Sequence, residues 1–156
     1  MPLQFRLATA DDYEPLESIV VAGFENVTWQ KTADERYGLL NGTDWRERWR
    51  MRFRKAFDTE IVLVGEAEGE VASVVVGEIN SKTKLGYIDI IAVDANFQGH
   101  GYGRETLRHM LAYMKQQGAN HAHLECLLTN AEANSLYASE GFEEVGRMIR
   151  WFIEIP

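Results

Sequence analysis

Three glycines crowd the stretch Gln98-Gly99-His100-Gly101-Tyr102-Gly103-Arg104, between an apolar, strand-like run and a run with helical spacing. In outline this is an anion cradle. Glycine adopts backbone conformations that other residues resist, so successive N–H groups can turn inward, and the following helix adds its unpaired N-terminal donors and partial positive charge. Each charge-assisted bond from a main-chain N–H to a phosphate oxygen contributes roughly 1.5 to 3 kcal/mol net, so a few of them anchor a phosphorylated ligand without a lysine. The spacing also excludes. A Walker loop needs Gly-Lys-Ser/Thr where this chain has Gly103-Arg104-Glu105, and a dinucleotide fingerprint needs Gly-x-Gly-x-x-Gly early in a βαβ unit. What remains is Gln-x-x-Gly-x-Gly, realised as Gln98, Gly101 and Gly103.

Periodicity supplies the elements around the cradle. Phe5 to Ala8 reads as a first strand, and Thr9 to Asp12 offers caps for a helix carrying Leu16, Ile19, Val20 and Phe24. Residues 27–44 read as loop with one short helix. From Trp45 the spacing Trp45, Trp49, Phe53, Phe57 lays an aromatic stripe along a long helix, and core packing is the favoured reading of that stripe over a substrate lid. Its arginines, among Arg46, Arg48, Arg50, Arg52 and Arg54, read as a solvated face. Residues 61–64 and 71–76 are β-branched runs that form a hairpin, and Tyr87 to Val93 is apolar enough for a central strand. Leu107, Met110, Leu111 and Met114 define the helix after the cradle. Residues 121–128 read as a strand, 130–139 as a helix, and 142–155 as one or two closing strands. Strands alternating with helices predict a mixed sheet covered by helices, in one domain over residues 1–156.

Charge and cysteine content narrow the function. A formal net charge of -8 disfavours a general affinity for nucleic acid and suits a cationic acceptor such as an amine. The single cysteine, Cys126, excludes an intramolecular disulfide and fits a reducing compartment. With no signal-peptide core and no apolar run of membrane-spanning length, a cytoplasmic protein with no membrane partner is expected. Cys126 reads as a buried, inert thiol. His100, His109, His121 and His123 lack the company of a metal site, so no metal is expected.

After the cradle, Asn130, Ala133, Tyr137 and Gly141-Phe142 fall at the spacing Asn-x-x-Ala-x-x-x-Tyr-x-x-x-Gly-Phe, preceded by Leu124-Glu125-Cys126-Leu127. Together with Ile90 to Asp94 and the opening Arg6 to Asp12, these motifs resemble the GNAT superfamily of N-acetyltransferases. The resemblance touches nearly the whole chain and is weakest between Val27 and Phe57. It implies an α/β (α+β) fold with a central mixed, mostly antiparallel sheet, splayed fourth and fifth strands and helices on both faces. It implies acetyl-CoA as co-substrate, its pyrophosphate on the N–H groups of Gln98, Gly99, His100, Gly101, Tyr102, Gly103 and Arg104, and its pantetheine arm beside Ile91, Ala92 and Val93. Asp94-Ala95 and Gly99-His100 depart from the commoner family text and leave those donors intact.

The resemblance further implies direct acetyl transfer to a primary amine of a small molecule or peptide in a ternary complex. Tyr137 matches the family's acid to the departing sulfur and also lies on the cofactor side. Glu125 is the first choice of base, with Asp89 and Tyr87 as alternates that plain strand alternation places on one face with Ile91. Asn130 holds the pantetheine arm or caps the last helix. Glu25 and Trp29, with Tyr87 and Asp89, are the residues expected to shape the acceptor cleft, and a homodimer is compatible with all of this. Two rival readings are a non-catalytic CoA sensor of the same fold and a protein that uses the cradle for another phosphate ligand.

Overall fold

The computed structural model describes residues 2–156, and among them the helices cover both faces of one five-stranded sheet. In chain order the elements are β1 (Gln4–Leu7), a 3-10 turn (Ala10–Asp12), α1 (Tyr13–Gly23), α2 (Trp29–Tyr37), α3 (Trp45–Thr59), β2 (Ile61–Ala67), β3 (Glu70–Ile79) and β4 (Leu85–Val93). A second 3-10 turn (Ala95–Phe97), α4 (Tyr102–Gln116), β5 (His121–His123) and α5 (Ala131–Ser139) follow. The strand order is β1-β2-β3-β4-β5, with every pairing antiparallel except the parallel β4–β5 pair.

The aromatic stripe packs as core. Trp45, Trp49 and Phe53 are buried with Leu16, Ile19 and Val20 of α1 against Val64, Val74, Val76, Ile90 and Ala92 of the sheet. Two groups hold Trp49 in place, since its indole N–H donates to Thr28 Oγ1 at 2.9 Å and its ring stacks on Phe24. The arginines of α3 are less solvated than the sequence suggested. Arg46 and Arg52 lie over Trp45 and Trp49, each at 4.6 Å, Arg54 lies over Tyr13, and Arg48 pairs with Asp34 at 2.5 Å. Flat guanidinium groups cover aromatic rings while keeping their charge near water, so the face is both basic and packed.

On the other face, Leu107, Met110 and Met114 of α4 pack against Leu63, Val75 and Ile88. Within this packing the hydroxyls of Ser73 and Thr106, both fully buried, are 2.7 Å apart.

A β-bulge in β4 decides which side chains reach the site. Val76 pairs with Ile90 and Gly77 with Ile88, so Asp89 is an extra residue opposite no partner. The bulge corrects the expected alternation. Ile88 and Ile91 both face α4, whereas Ile90 and Ala92 face α1 and α3, and Ile91 therefore does not share a face with Asp89. Gly77 makes the bulge feasible, because a Cβ there would come within 2.6 Å of the Tyr87 carbonyl oxygen.

Two sequence expectations fail near the C-terminal end. The strand expected over 121–128 ends at His123, because β4 pairs with β5 only from Leu85 to Tyr87 and the bulge then turns β4 away. Residues 142–155 form no strand. Their composition favours extended backbone, and no helix, turn or bend interrupts them, but they join no ladder in the sheet.

Candidate active site

Where β4 runs on to Val93 without β5 beside it, the sheet opens. Asp94 donates its N–H to Ala72 at 2.8 Å, which makes Ser73–Val93 and Val75–Ile91 the non-hydrogen-bonded pairs of this ladder. The main-chain N–H and C=O groups of Ile91 and Val93 therefore project into the opening, while those of Ala92 face β3. Of the three residues expected to meet the cofactor arm, two present their backbone to the gap and one does not.

The glycine loop lies just past the end of β4. Gly99 and Gly101 have φ of +83° and +77°, and a Cβ at either would meet nothing within 4 Å, so the loop borders open space. Gly101 is the N-cap of α4, which starts with no side-chain cap. The first-turn N–H groups of Gly103 and Arg104 are left for a ligand. Side chains of the loop are held elsewhere. Gln98 reaches back to the Val93 carbonyl at 3.4 Å, His100 Nδ1 is 3.0 Å from the Gln98 carbonyl, and Tyr102 is buried beside Phe97. The Arg104 guanidinium pairs with Glu140, which Arg108 also grips at 2.6 Å. Only the Arg104 main chain is available to the cradle, which can hold an anion through backbone donors and the helix end.

Two sets of side chains flank the opening from opposite faces of the sheet. Tyr137, on α5, packs half-buried with the cluster under α4, its ring 5.8 Å from that of Phe142. Burial, and secondarily the neighbouring Cys126, pushes its phenol up to about 12, so it stays protonated at any ordinary pH. Cys126 itself is half-buried and its thiol is pushed up by that burial. On the α3 face, Tyr87 lies beside His123, ring centroids 4.9 Å apart. Burial first, then the carboxylates of Glu125 and Asp89, push the Tyr87 phenol up to about 12. Asp89 is bound by Arg52 at 2.5 Å. Asn130 caps α5, accepting the Ala133 N–H at 3.3 Å.

Two residues of this face were not singled out from the sequence. Arg52 was one of a run of arginines, and only its placement three residues after Trp49, on the side that meets the bulge, distinguishes it. Glu60, between α3 and β2, carries no local motif at all. Its Oε2 and the Arg52 Nη1 are buried without partners, and burial followed by repulsion from Asp89 pushes Glu60 up to about 7. The other two residues expected to shape the acceptor cleft have partners of their own. Glu25 pairs with the exposed Arg46 at 2.9 Å, and Trp29 lies under Arg150 and beside Phe152.

The raised Glu60 carboxyl sets a sign for stability. Between its ordinary value and about 7 the folded chain holds a proton that the unfolded chain has lost, so stability falls as pH rises through that window. After allowing for solvent screening, the fall is on the order of 1 to 2 kcal/mol. Denaturant titrations at pH 5 and pH 8 should show it in the native chain and should show most of it gone in Glu60→Gln. An undiminished fall in the variant would assign the effect to another group.

Residues 25–142 match the model of the Acetyltransferase (GNAT) family. The chain belongs to that family. Among curated proteins, this GNAT chain is 41% identical over 54 residues to the ribosomal protein bS18-alanine N-acetyltransferase of Escherichia coli, an alignment covering 35% of this chain and 36% of the relative. It is 29% identical over 68 residues to N-alpha-acetyltransferase 30 of Saccharomyces cerevisiae, covering 44% and 39%. These matches thus span well under half the length of either relative. Among solved structures, the ribosomal-protein-alanine N-acetyltransferase of Brucella melitensis superposes with a TM-score of 0.67 at 25% identity, over 92% of this chain and 86% of that one. The structure of AAC(6')-Iy in complex with a CoA bisubstrate analogue gives 0.71 at 10% identity, over 99% and 100%, a likeness of fold. The GNAT layout accounts for the mixed sheet with parted fourth and fifth strands.

Proposed function

We propose that this chain transfers an acetyl group from acetyl-CoA directly to a primary amine, with the α-amino group of a peptide as the acceptor it suits best. The observation that carries the reading is the pair of faces at the opening beyond Tyr87 and His123: the phenol of Tyr137 on the α4 side and, around Tyr87 and Arg52, the carboxylates of Glu125 and Asp89 on the other. Acetyl-CoA, when bound, supplies an activated acyl group as a thioester. Backbone donors from Gln98 to Arg104 hold its pyrophosphate, and the outward main-chain groups of Ile91 and Val93 pair with the amide-bearing arm as a strand edge pairs with a peptide. The Val93 N–H is placed to donate to the thioester oxygen, where negative charge develops.

Proton traffic then runs in one direction across the sheet. Glu125, directly or through a water, takes a proton from the attacking ammonium or amine as the new C–N bond forms, and Tyr137 gives its proton to the sulfur as the C–S bond breaks. A peptide α-amine, with an ordinary pKa near 7.7 to 8.0, is neutral in roughly one molecule in ten at pH 7, against about one in two thousand for a lysine-like amine. An exposed carboxylate beside Tyr87, such as Glu125, suits the easier case. The relatives named for a ribosomal-protein alanine and for N-alpha acetylation support the same acceptor. Asp89, Glu78 and, above about pH 7, Glu60 bring negative charge to the acceptor side that Arg52 offsets only in part, which suits a cationic amine. The lone half-buried Cys126 fits a cytoplasmic setting.

The test is acceptor-dependent release of free CoA, measured with short peptides of varied first residue beside polyamines, amino acids and aminoglycosides. Peptides are expected to be turned over fastest. Turnover confined to aminoglycosides would replace the acceptor and keep the chemistry. Thermal stabilisation by CoA with no release for any amine would make the chain a sensor, and stabilisation by ATP or NAD but not CoA would remove the acetyl-transfer reading altogether.

A further inference from the structure

The helix that carries Tyr137 has little to keep it in place. α5 buries none of its residues, and its share of the apolar cluster under α4 is the half-buried pair Leu136 and Tyr137, with Leu136 lying beside Gly103. The strand before it stops at His123, and residues 124–130 join no ladder that could fix its approach. Among the described residues, most side-chain hydrogen bonds of this region are local. Asn130 caps the helix, Asn134 donates to the Leu127 and Asn130 carbonyls at 2.9 and 3.0 Å, and Ser139 donates to that of Leu136. Bonds of that kind shape a segment without deciding where it sits.

Glu140, the C-cap residue of α5, is the exception. Its carboxylate accepts two bonds from Arg108, from Nε at 2.6 Å and from Nη2 at 3.1 Å, and another from Arg104 Nη1. The two arginines stand one turn apart on α4, and the Glu140 side chain between them is 7% exposed. A guanidinium that meets both oxygens of a carboxylate fixes its direction as well as its distance. Arg104 belongs to the first turn of α4, so one residue offers its main-chain N–H to the cradle and its side chain to Glu140. Tyr137 precedes Glu140 by three residues, which sets the phenol and the carboxylate on the same side of α5.

We propose that Glu140 is a positioning residue for acetyl transfer: through Arg104 and Arg108 it seats α5 on α4, and so places the Tyr137 phenol where the departing sulfur needs its proton. The inference rests on the reading of Tyr137 as the acid. Proton transfer requires hydrogen-bond reach, and a displacement of about 1 Å can cost on the order of 10²-fold in rate. A helix with so little buried surface can rock by that amount, and a carboxylate held from two directions at its end removes the freedom. Glu140 acts on the reaction only through Tyr137, which gives it a signature that a general stabilising role lacks.

Kinetics and hydrogen exchange on the full chain test it. Glu140→Gln is expected to lower kcat about 10-fold with the Kd for acetyl-CoA, by calorimetry, within about twofold, and to speed amide exchange across residues 131–142 while residues 105–116 exchange as before. In a Tyr137→Phe background the same substitution should change kcat less than about twofold, because the group it positions is gone. An equal loss in that background, a native kcat in Glu140→Gln, or unchanged exchange in α5 would each overturn the proposal. A native kcat in Tyr137→Phe alone would remove the acid and the proposal with it, and the exchange result, which needs no turnover, tells that failure from a failure of Glu140 to seat the helix. Should Glu140→Gln not fold, Arg108→Gln, at a position 65% exposed, decides by the same pattern: a loss of about threefold in kcat that disappears when Tyr137 is phenylalanine.

Discussion

Replacing Tyr137 by phenylalanine is expected to lower kcat with the best peptide acceptor by about 10²-fold while leaving the Kd for acetyl-CoA within about threefold. General acid catalysis by a positioned group contributes typically 10² to 10⁴, and the lower end is appropriate where solvent can partly stand in as donor. The phenylalanine keeps the ring that packs beside Phe142 and removes only the hydroxyl, so the folded state should be almost unaffected. Because burial holds the phenol at about 12, the native enzyme should lose no activity from this group on the alkaline side of any ordinary assay. A phenylalanine variant with native kcat would show that the sulfur leaves without this proton, and would shift attention to Cys126, whose thiol neighbours the same hydroxyl.

The second large effect concerns the cradle. Gly101→Val should weaken acetyl-CoA binding by about 10- to 100-fold, read by calorimetry, with kcat at saturation changed little. Its φ of +77° is one a β-branched residue avoids, at a cost of roughly 1 to 3 kcal/mol. The chain can escape that strain only by turning the loop, which swings the first donors of α4 off a common point. Affinity unchanged by the valine would mean that the pyrophosphate is held elsewhere, and the assignment of residues 98–104 would fall.

Local signals were the ones legible in the chain. The glycine loop, the helix that follows it and the aromatic stripe of α3 were readable because each is written within a few turns of sequence and agrees with its own periodicity. Tyr137 and Glu125 could be named because Asn130, Ala133 and Gly141-Phe142 surround them at family spacing. What could not be read depended on residues distant in sequence. Asp89 shares its face with Ile90 and Ala92, and not with Ile91, only because β4 carries one residue too many opposite Gly77, and no alternation rule foresees an insertion in a ladder. Glu60 acquires its raised pKa from burial and from Asp89, neither visible at its own position. Residues 142–155 had every local mark of a strand, yet a strand exists only where an edge receives it, and pattern alone does not say which edge, or whose.

The buried hydroxyl pair of Ser73 and Thr106 has a mechanical meaning for the cradle. Greasy surfaces slide past one another at little penalty, whereas two alcohols sealed from water have a single seat, since any slip of α4 along the sheet strands both. Thr106 sits one turn beyond the glycines, and Ser73 lies opposite Val93. The height of the helix end above the tip of β4 is thus clamped from below, and the span between the grip on a ligand's charged tail and the point where its acyl end arrives is set like a ruler by two atoms that never meet the ligand.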